Sequence, residues 1–392
     1  MSGQGVLVMA GGTGGHIFPG LAVADSLRRQ GVAVRWLGAR GGMECDKVPA
    51  AGIELDVVDI SGLRGKGAAG WVTGPFKLVR AVWQAFRLLG AHRPACAISF
   101  GGYAAGPGGL AAKLRGVPLL VHEQNRVPGM TNRTLARFAS KVLQAFPGSW
   151  EERYGAETVG NPVRREVVEL EDPETRLAGR EGPLRILLTG GSQGALALNR
   201  LVPEALGLVA AEGIEFQVRH QAGPRWVEET LKAYRDAGID CRRGVSRDPN
   251  EAAEASSEIP ENQVAADAPP TKAIVTDFIK DMASAYAWAD VVVCRAGALT
   301  VSEVAAAGVA ALFVPFPHAV DDHQTRNAEY LVENDAALLL QQSQTDARKL
   351  ANVLSPLAGD RARLAGMARR GRAAAVPDSA DRVAALCREY VS

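Results

Sequence analysis

Short apolar runs alternate with longer stretches of helical periodicity along the chain. In the first half GVLVMA, VAVRWLG, ACAISF, PLLVHE and KVLQAF read as strands. In the second half LRILLTGG, FQVRHQAG, AIVTDF, DVVVCRAG and AALFVPF do. Continuous apolar strands between helices predict parallel sheets covered on both faces. The second half repeats the opening device. VLVMAGGTGGHIFPGLAVADSL, from Val6, and ILLTGGSQGALALNRLVPEAL, from Ile186, each read as strand, glycine loop and helix. Two doubly wound α/β domains in tandem are the economical organisation, over residues 1–162 and 163–376 with the join near VGNPVRREV. Ligands of such sheets bind outside the C-terminal strand ends, so a cleft between the two domains is expected to hold the ligand.

One segment, about residues 246–272, breaks the pattern. It carries several acids, four prolines and no aromatic residue, and reads as a solvated insertion. The last stretch, PDSADRVAALCREYV, reads as a helix capped by Asp378 or Ser379, with Val383 and Leu386 on an apolar face.

Composition narrows the classes. The chain has 392 residues, enough for two domains, and 47% of them are hydrophobic. A formal net charge of +1 lacks the basic excess of a nucleic-acid binder, so no nucleic-acid partner is expected. The five cysteines are scattered and never spaced C-x-x-C, which argues against a disulfide framework or structural zinc and fits a reducing compartment. No basic region followed by an apolar stretch opens the chain, so no signal peptide is expected. No apolar run reaches the roughly 18 residues of a membrane span.

The first glycine loop, Gly11 to His16, is not a G-x-G-x-x-G, because Ile17 takes the last glycine position counted from Gly12. VRWLGARGG has no acid at its strand end to hold an adenosine ribose, and the chain contains no P-loop, so nicotinamide and P-loop chemistries recede. SFGGYAAGPGG and CRAGALTVSE add two more strand-to-helix glycine turns. Four such turns suit a ligand with phosphates, because free N–H groups and the helix dipole stabilise anions; any one of them is equally compatible with tight packing. Glu303, a turn into its helix, is placed to accept two vicinal ribose hydroxyls or simply to offset the dipole. His318, Asp321, Asp322 and His323 have no helical metal-ligand spacing, so no metal is expected; Asp322 and Gln324 instead suit sugar hydroxyls.

Seven blocks in order, GGTGGHIFPGLA, GGYAAGPGG, HEQN, GNPVR, GGSQGA, RAGALTVSE and the HQ before NA, resemble the MurG family of UDP-N-acetylglucosamine:N-acetylmuramyl-(pentapeptide) pyrophosphoryl-undecaprenol N-acetylglucosaminyltransferases. The resemblance runs over almost the whole chain. It implies a GT-B fold of two Rossmann-like domains, with the last helix, about residues 377–392, crossing back onto the first. It implies inverting transfer of GlcNAc from UDP-GlcNAc to the C4 hydroxyl of the muramoyl sugar of lipid I, giving lipid II. For the donor it implies Ser192 near the diphosphate and Ile279 at the uracil, through its backbone amide. Ala298, Leu299, Thr300, Val301, Ser302 and Glu303 cradle diphosphate and ribose, and Gln324 takes the GlcNAc hydroxyls. Arg164 lines the site from the hinge, Thr13, Gly14 and Gly15 approach sugar and phosphate, and Asn125 contacts GlcNAc. Gly101, Gly102 and Tyr103 belong to the acceptor pyrophosphate site. The insertion is longer than expected for the family and abuts the presumed uracil pocket.

No D-x-D triplet is present to signal a metal-clamped diphosphate, and no cofactor is called for; helix N-termini and Arg164 are expected to stabilise departing UDP. His16 is the candidate base, its alternative role being a hydrogen bond to a loop carbonyl or phosphate. His122 and Glu123 are rivals for the base. A lipid-linked acceptor calls for an anionic membrane surface as partner, at the cytoplasmic face of a bacterial inner membrane. Phe76, Val79, Trp83 and Phe86 share one helical face beside Lys77, Arg80, Gln84 and Arg87, a pattern suited to a headgroup boundary and also to a helix packed on a sheet. Cell-wall synthesis proteins are further possible partners. A UDP-GlcNAc 2-epimerase, a glycosyltransferase for another lipid and a non-catalytic sugar-nucleotide sensor stay open beside this one.

Overall fold

The computed structural model describes residues 5–60, 67–191, 193–244 and 272–391, without the side chains of residues 67–73 and 320. Ser192 and nearly all of the expected insertion lie outside the described residues. The chain forms two compact units, one of Met1–Arg165, Gly297–Ser302 and Val376–Ser392, the other of Glu166–Ala296 and Glu303–Ala375.

The first unit carries β1 (Val6–Ala10), β2 (Val34–Ala39), β3 (Glu54–Val58), β4 (Cys96–Gly101), β5 (Leu119–Glu123), β6 (Lys141–Gln144) and β7 (Glu157–Thr158). They form one parallel sheet in the order β3-β2-β1-β4-β5-β6-β7. Alternate residues of β1 enter opposite cores. Val6, Val8 and Ala10 pack with Ile17 and Trp36, whereas Leu7 and Met9 pack with Leu37 and Ala85. A strand buried on both faces has no polar side, which is why β1 reads as an unbroken apolar run. Helices α1 (Gly14–Arg29), α2 (Glu44–Ala50), α3 (Gly67–His92), α4 (Ala105–Arg115) and α5 (Met130–Ala136) cover the sheet. Strand order reverses at β1 and β4, so this unit's switch point lies where Gly11–His16 and Gly101–Tyr103 leave the sheet.

The second unit carries β8 (Leu184–Thr189), β9 (Phe216–Gln221), β10 (Cys241–Arg243), β11 (Ala273–Thr276), β12 (Val291–Cys294), β13 (Ala310–Phe313) and β14 (Ala337–Leu339). The parallel order is β10-β11-β9-β8-β12-β13-β14. Its switch point lies between β8 and β12, where the turns into α6 (Leu196–Ala211) and α9 (Ala298–Ala307) begin. Between these two helices lie α7 (Val227–Asp236) and α8 (Met282–Trp288); α10 (His323–Val332), α11 (Ala347–Gly359) and α12 (Arg361–Ala374) follow.

The final helix α13 (Ser379–Arg388) belongs to the first unit. Val383, Ala384 and Cys387 are buried among the residues of β1, α1 and β4. The Ser26 hydroxyl donates to Asp381, the Cys96 thiol to the Cys387 carbonyl, and Lys141 pairs with Glu389 at 2.6 Å. Asp378 stands at the N-cap without a side-chain capping bond; it pairs with Arg382 at 2.8 Å.

Candidate active site

In the first unit, two glycine loops meet at the switch point. Gly102 has φ +90°, and a Cβ there would lie 2.2 Å from the Gly11 carbonyl oxygen, so only glycine allows this approach. Tyr103 is 52% exposed and its ring faces Gly12. Thr13 is the N-cap of α1, in extended conformation, and His16 lies in the first turn beyond Gly14 and Gly15. The His16 Nδ1 atom is 3.3 Å from the Gly11 carbonyl oxygen and 3.5 Å from Thr13 Oγ1. A carbonyl only accepts, so Nδ1 carries the proton and Nε2 presents its lone pair. The Nε2 edge faces Gly101, where a Cβ would lie 3.4 Å away. Arg164 stacks over Phe18 of α1, its guanidinium carbon 5.5 Å from the ring centroid, beside the same turn.

A buried polar network supports these loops. Glu123 is 2% exposed, and its carboxylate accepts the Asn125 amide N–H at 3.0 Å and the Asn125 side chain at 3.1 Å. It also accepts the Gly129 N–H at 3.1 Å and Asn132 Nδ2 at 2.9 Å. Asn132 in turn accepts the Ser99 hydroxyl, which accepts the Gly101 N–H. Four donors engage the Glu123 oxygens, so this carboxylate holds Asn125 and the Gly101 turn in place. His122 is fully buried, donates from Nε2 to the Gly160 carbonyl at 2.9 Å, and accepts Gln124 at Nδ1. Burial pushes its imidazole down to about 4. Both rivals of His16 are thus buried and hydrogen-bonded within the first unit.

Glu44 is one residue, with Gln221 and Asn132, that the sequence does not single out. It is fully buried, and its two oxygens accept the Ala39 N–H at 2.8 Å and the Gly12 N–H at 3.1 Å. A Cβ at Gly11 or Gly42 would meet its carboxylate at 2.3 Å, and one at Gly38 would meet its Cγ at 2.6 Å. Three glycines from three segments make its seat. That convergence is the only signal of it, and it appears only after folding.

In the second unit, the GGSQG turn locks onto the end of β9. Gly194 has φ +74°, and a Cβ there would fall 1.8 Å from the Ala222 carbonyl oxygen. Asn199 donates to that carbonyl at 2.8 Å and accepts His220 Nε2 at 3.0 Å, while His220 Nδ1 accepts the Tyr234 hydroxyl at 3.1 Å. Burial holds the His220 imidazole at about 3. Gln221, 4% exposed, donates from Nε2 to the Gly191 carbonyl and accepts the Ile279 N–H at Oε1, both at 2.9 Å. The Ile279 amide expected to read a base edge is thus held by Gln221.

The second switch-point turn leads into α9, which begins at Ala298 and carries Leu299, Thr300, Val301, Ser302 and Glu303. Glu303 is 4% exposed and accepts the Tyr286 hydroxyl at 3.2 Å. Below the turn, Arg295 donates to the Val314 and Pro315 carbonyls and to Gln342. Burial lowers its guanidinium to about 10. Asn327, fully buried, donates to the Ala296 carbonyl at 3.2 Å. Gln324 accepts the Phe316 N–H at 2.9 Å, which ties α10 to the end of β13. Asp322 has φ +49° and accepts the Thr325 hydroxyl at 2.7 Å, a local bond within its own turn. Among the described residues, no three His, Cys, Asp or Glu side chains converge to hold a metal ion.

The helical face expected at a membrane divides. Phe76, Val79 and Trp83 are 77%, 70% and 56% exposed. Phe86 corrects the expectation: it packs on the core, its ring covered by the Arg115 guanidinium at 3.7 Å. Arg115 also donates to the Phe86 carbonyl, which fixes this stack between α3 and α4. Arg80 and Gln84 turn to Asp59, and Arg87 covers the Trp83 ring at 4.9 Å. No helix among the described residues is long and apolar enough to cross a membrane.

Two parallel-sheet units, each with glycine turns at its switch point, define the scaffold of a two-domain GT-B glycosyltransferase. Residues 6–144 match the glycosyltransferase family 28 N-terminal domain, and residues 185–243 and 245–383 match its C-terminal domain. The chain is 52% identical over 379 residues to the UDP-N-acetylglucosamine--N-acetylmuramyl-(pentapeptide) pyrophosphoryl-undecaprenol N-acetylglucosamine transferase of Xanthomonas campestris pv. campestris strain 8004, covering 97% of this chain and 80% of that one. It is 52% identical over 387 residues to the enzyme of the same name from Aeromonas hydrophila, covering 99% and 97%. Among solved structures it is similar to MurG of Acinetobacter baumannii, with a TM-score of 0.78, 39% identity and coverage of 98% and 99%. The kitacinnamycin glycosyltransferase, at 17% identity and a TM-score of 0.64, shares the fold. The chain belongs to glycosyltransferase family 28 and, within it, to the MurG family.

Proposed function

We propose that this chain transfers GlcNAc from UDP-GlcNAc to the C4 hydroxyl of the MurNAc-pentapeptide of undecaprenyl-pyrophosphate-linked lipid I. The products are lipid II and UDP, and the anomeric configuration inverts. One observation carries this: 52% identity over 97% to 99% of the chain to transferases named for that reaction.

His16 is the proposed base. Its Nδ1–H is committed to the Gly11 carbonyl, so Nε2 is the basic nitrogen that takes the proton from the acceptor hydroxyl as the new bond forms. Gly101, Gly102 and Tyr103 adjoin it and suit the acceptor pyrophosphate; Thr13, Gly14, Gly15 and Asn125 suit the donor sugar. The α9 N-terminus suits the diphosphate; in the second unit, Glu303 suits the ribose, Gln324 the GlcNAc hydroxyls and the Ile279 segment the uracil. Ser192 is assigned to the diphosphate by its motif alone. Preorganised N–H donors and Arg164 stabilise departing UDP, and no cofactor beyond the sugar nucleotide is required. The exposed Phe76, Val79 and Trp83 suit an anionic bilayer at the cytoplasmic face of the inner membrane, where lipid I is reached peripherally.

The test uses purified protein, labelled UDP-GlcNAc and a short-chain lipid I analogue with EDTA present. Label in a lipid II product supports acceptor and metal independence together. Saturable UDP-GlcNAc binding without transfer leaves the donor site standing and discards the acceptor. Replacement of His16 by Ala is expected to lower kcat about 100-fold or more at saturating substrates. Near-normal turnover sinks the base role.

A further inference from the structure

Glu44 and His16 do not touch, yet one peptide group joins them. The Gly12 N–H that donates to Glu44 Oε2 and the Gly11 carbonyl that accepts His16 Nδ1 belong to the same peptide unit. We propose that Glu44 is a positioning residue for His16, acting through this peptide as a carboxylate–amide–imidazole relay. The proposal rests on His16 as the base.

The physics is that of a carboxylate behind a catalytic histidine, with an amide interposed. A carboxylate on the N–H side polarises the peptide and makes its carbonyl a stronger acceptor. The stronger acceptor holds the proton on Nδ1, makes Nε2 the basic nitrogen toward the acceptor hydroxyl and stabilises the imidazolium once Nε2 is protonated. Glu44 takes up no proton, and the Gly12 amide keeps its own. The relay also answers an electrostatic conflict. His16 lies in the first turn of α1, where the helix dipole opposes a positive ring. A buried carboxylate on the far side of the loop offsets that field. Among the described residues no cation pairs with Glu44, so its charge is directed at the loop. Gly11, Gly38 and Gly42 make room for it.

The variant Glu44→Gln keeps the shape but loses the charge and one of the two acceptors. It is expected to lower kcat about 10-fold or more with KM for UDP-GlcNAc within about twofold. In a His16→Ala background the same change is expected to cost nothing further. An equal loss in that background overturns the relay. A readout free of turnover is the ring tautomer, from 15N shifts of labelled histidines, with His16 assigned by its absence in His16→Asn. The wild-type chain is expected to show protonated Nδ1 at pH 8, and Glu44→Gln a mixture of tautomers. Protonated Nε2 in the wild type overturns the proposal, and needs no variant of Glu44 to fold. Normal lipid II synthesis with such a tautomer refutes the relay alone, whereas absence of GlcNAc transfer by the wild type refutes the assigned reaction and the relay with it.

Discussion

Gln221 holds the backbone amide of Ile279 at 2.9 Å while donating to the Gly191 carbonyl at the same distance. One buried carboxamide therefore binds the glycine turn after β8 to the segment after β11. Replacing it by Leu leaves an N–H and a carbonyl unpaired, at about 1–3 kcal/mol each. Gln221→Leu is expected to weaken UDP binding about 10-fold by calorimetry. Tighter binding would mean instead that Gln221 competes with the base for the Ile279 amide.

Glu303 accepts the Tyr286 hydroxyl, so its carboxylate is oriented from below. With one oxygen anchored, a ribose hydroxyl gains a fixed partner. Glu303→Gln is expected to raise KM for UDP-GlcNAc about 10-fold, the scale of a charged hydrogen bond. The penalty should shrink with a 2′-deoxyribose donor, which lacks one of the hydroxyls. Equal penalties on both donors would remove Glu303 from the ribose.

Burial depresses two histidines, His122 to about 4 and His220 to about 3, against an ordinary value of 6.5. Below pH 6.5 the unfolded chain binds these protons and the folded chain does not. Their contribution is full above pH 6.5 and is lost as pH falls through 6.5 toward 4 and 3 respectively. At pH 5 the loss is about 2 kcal/mol per histidine, at about 1.4 kcal/mol for each unit of pH below the unfolded value. Urea midpoints at pH 7.5 and 5 measure it. His220→Gln should flatten the pH dependence while lowering stability overall; an unchanged slope would contradict the assignment.

Phe76 and Trp83 stand out from α3, whereas Phe86 lies under Arg115. Phe76→Ser with Trp83→Ser should reduce sedimentation with anionic vesicles several-fold and leave the melting temperature within a few degrees. Phe86→Ser should do the reverse, lowering stability by roughly 3 kcal/mol with vesicle binding kept. Unchanged vesicle binding by the double variant would move the membrane contact elsewhere.

The strands visible in the sequence are the interior ones. β1, β2, β4, β5 and β6, and β8, β9, β11, β12 and β13, lie inside their sheets, and most carry apolar runs such as VLVMA, CAISFG and VVVC. The four strands that escaped notice, β3, β7, β10 and β14, are the four sheet edges. Glu54–Val58 mixes acids with valines, and Glu157–Thr158 and Cys241–Arg243 are too short and polar to carry a period. The glycine turns were legible because a close backbone approach restricts the residue itself. Glu44, Gln221 and Asn132 were not, because each acts on backbone that distant segments deliver. Phe86 was misread for the same reason: helical spacing put it on the face of Trp83, but Arg115, on the next helix, decides its surroundings.

The placement of α13 bears on how the chain folds. The first unit's core needs Val383, Ala384 and Cys387, which join it from beyond the whole second unit. Ser26 and Asp381, which tie α13 to α1, lie 355 positions apart in sequence. Closing so long a span costs chain entropy before its contacts repay it. The second unit's core draws on residues 184–367 and uses none of α13, so loss of that helix is a defect of the first unit alone.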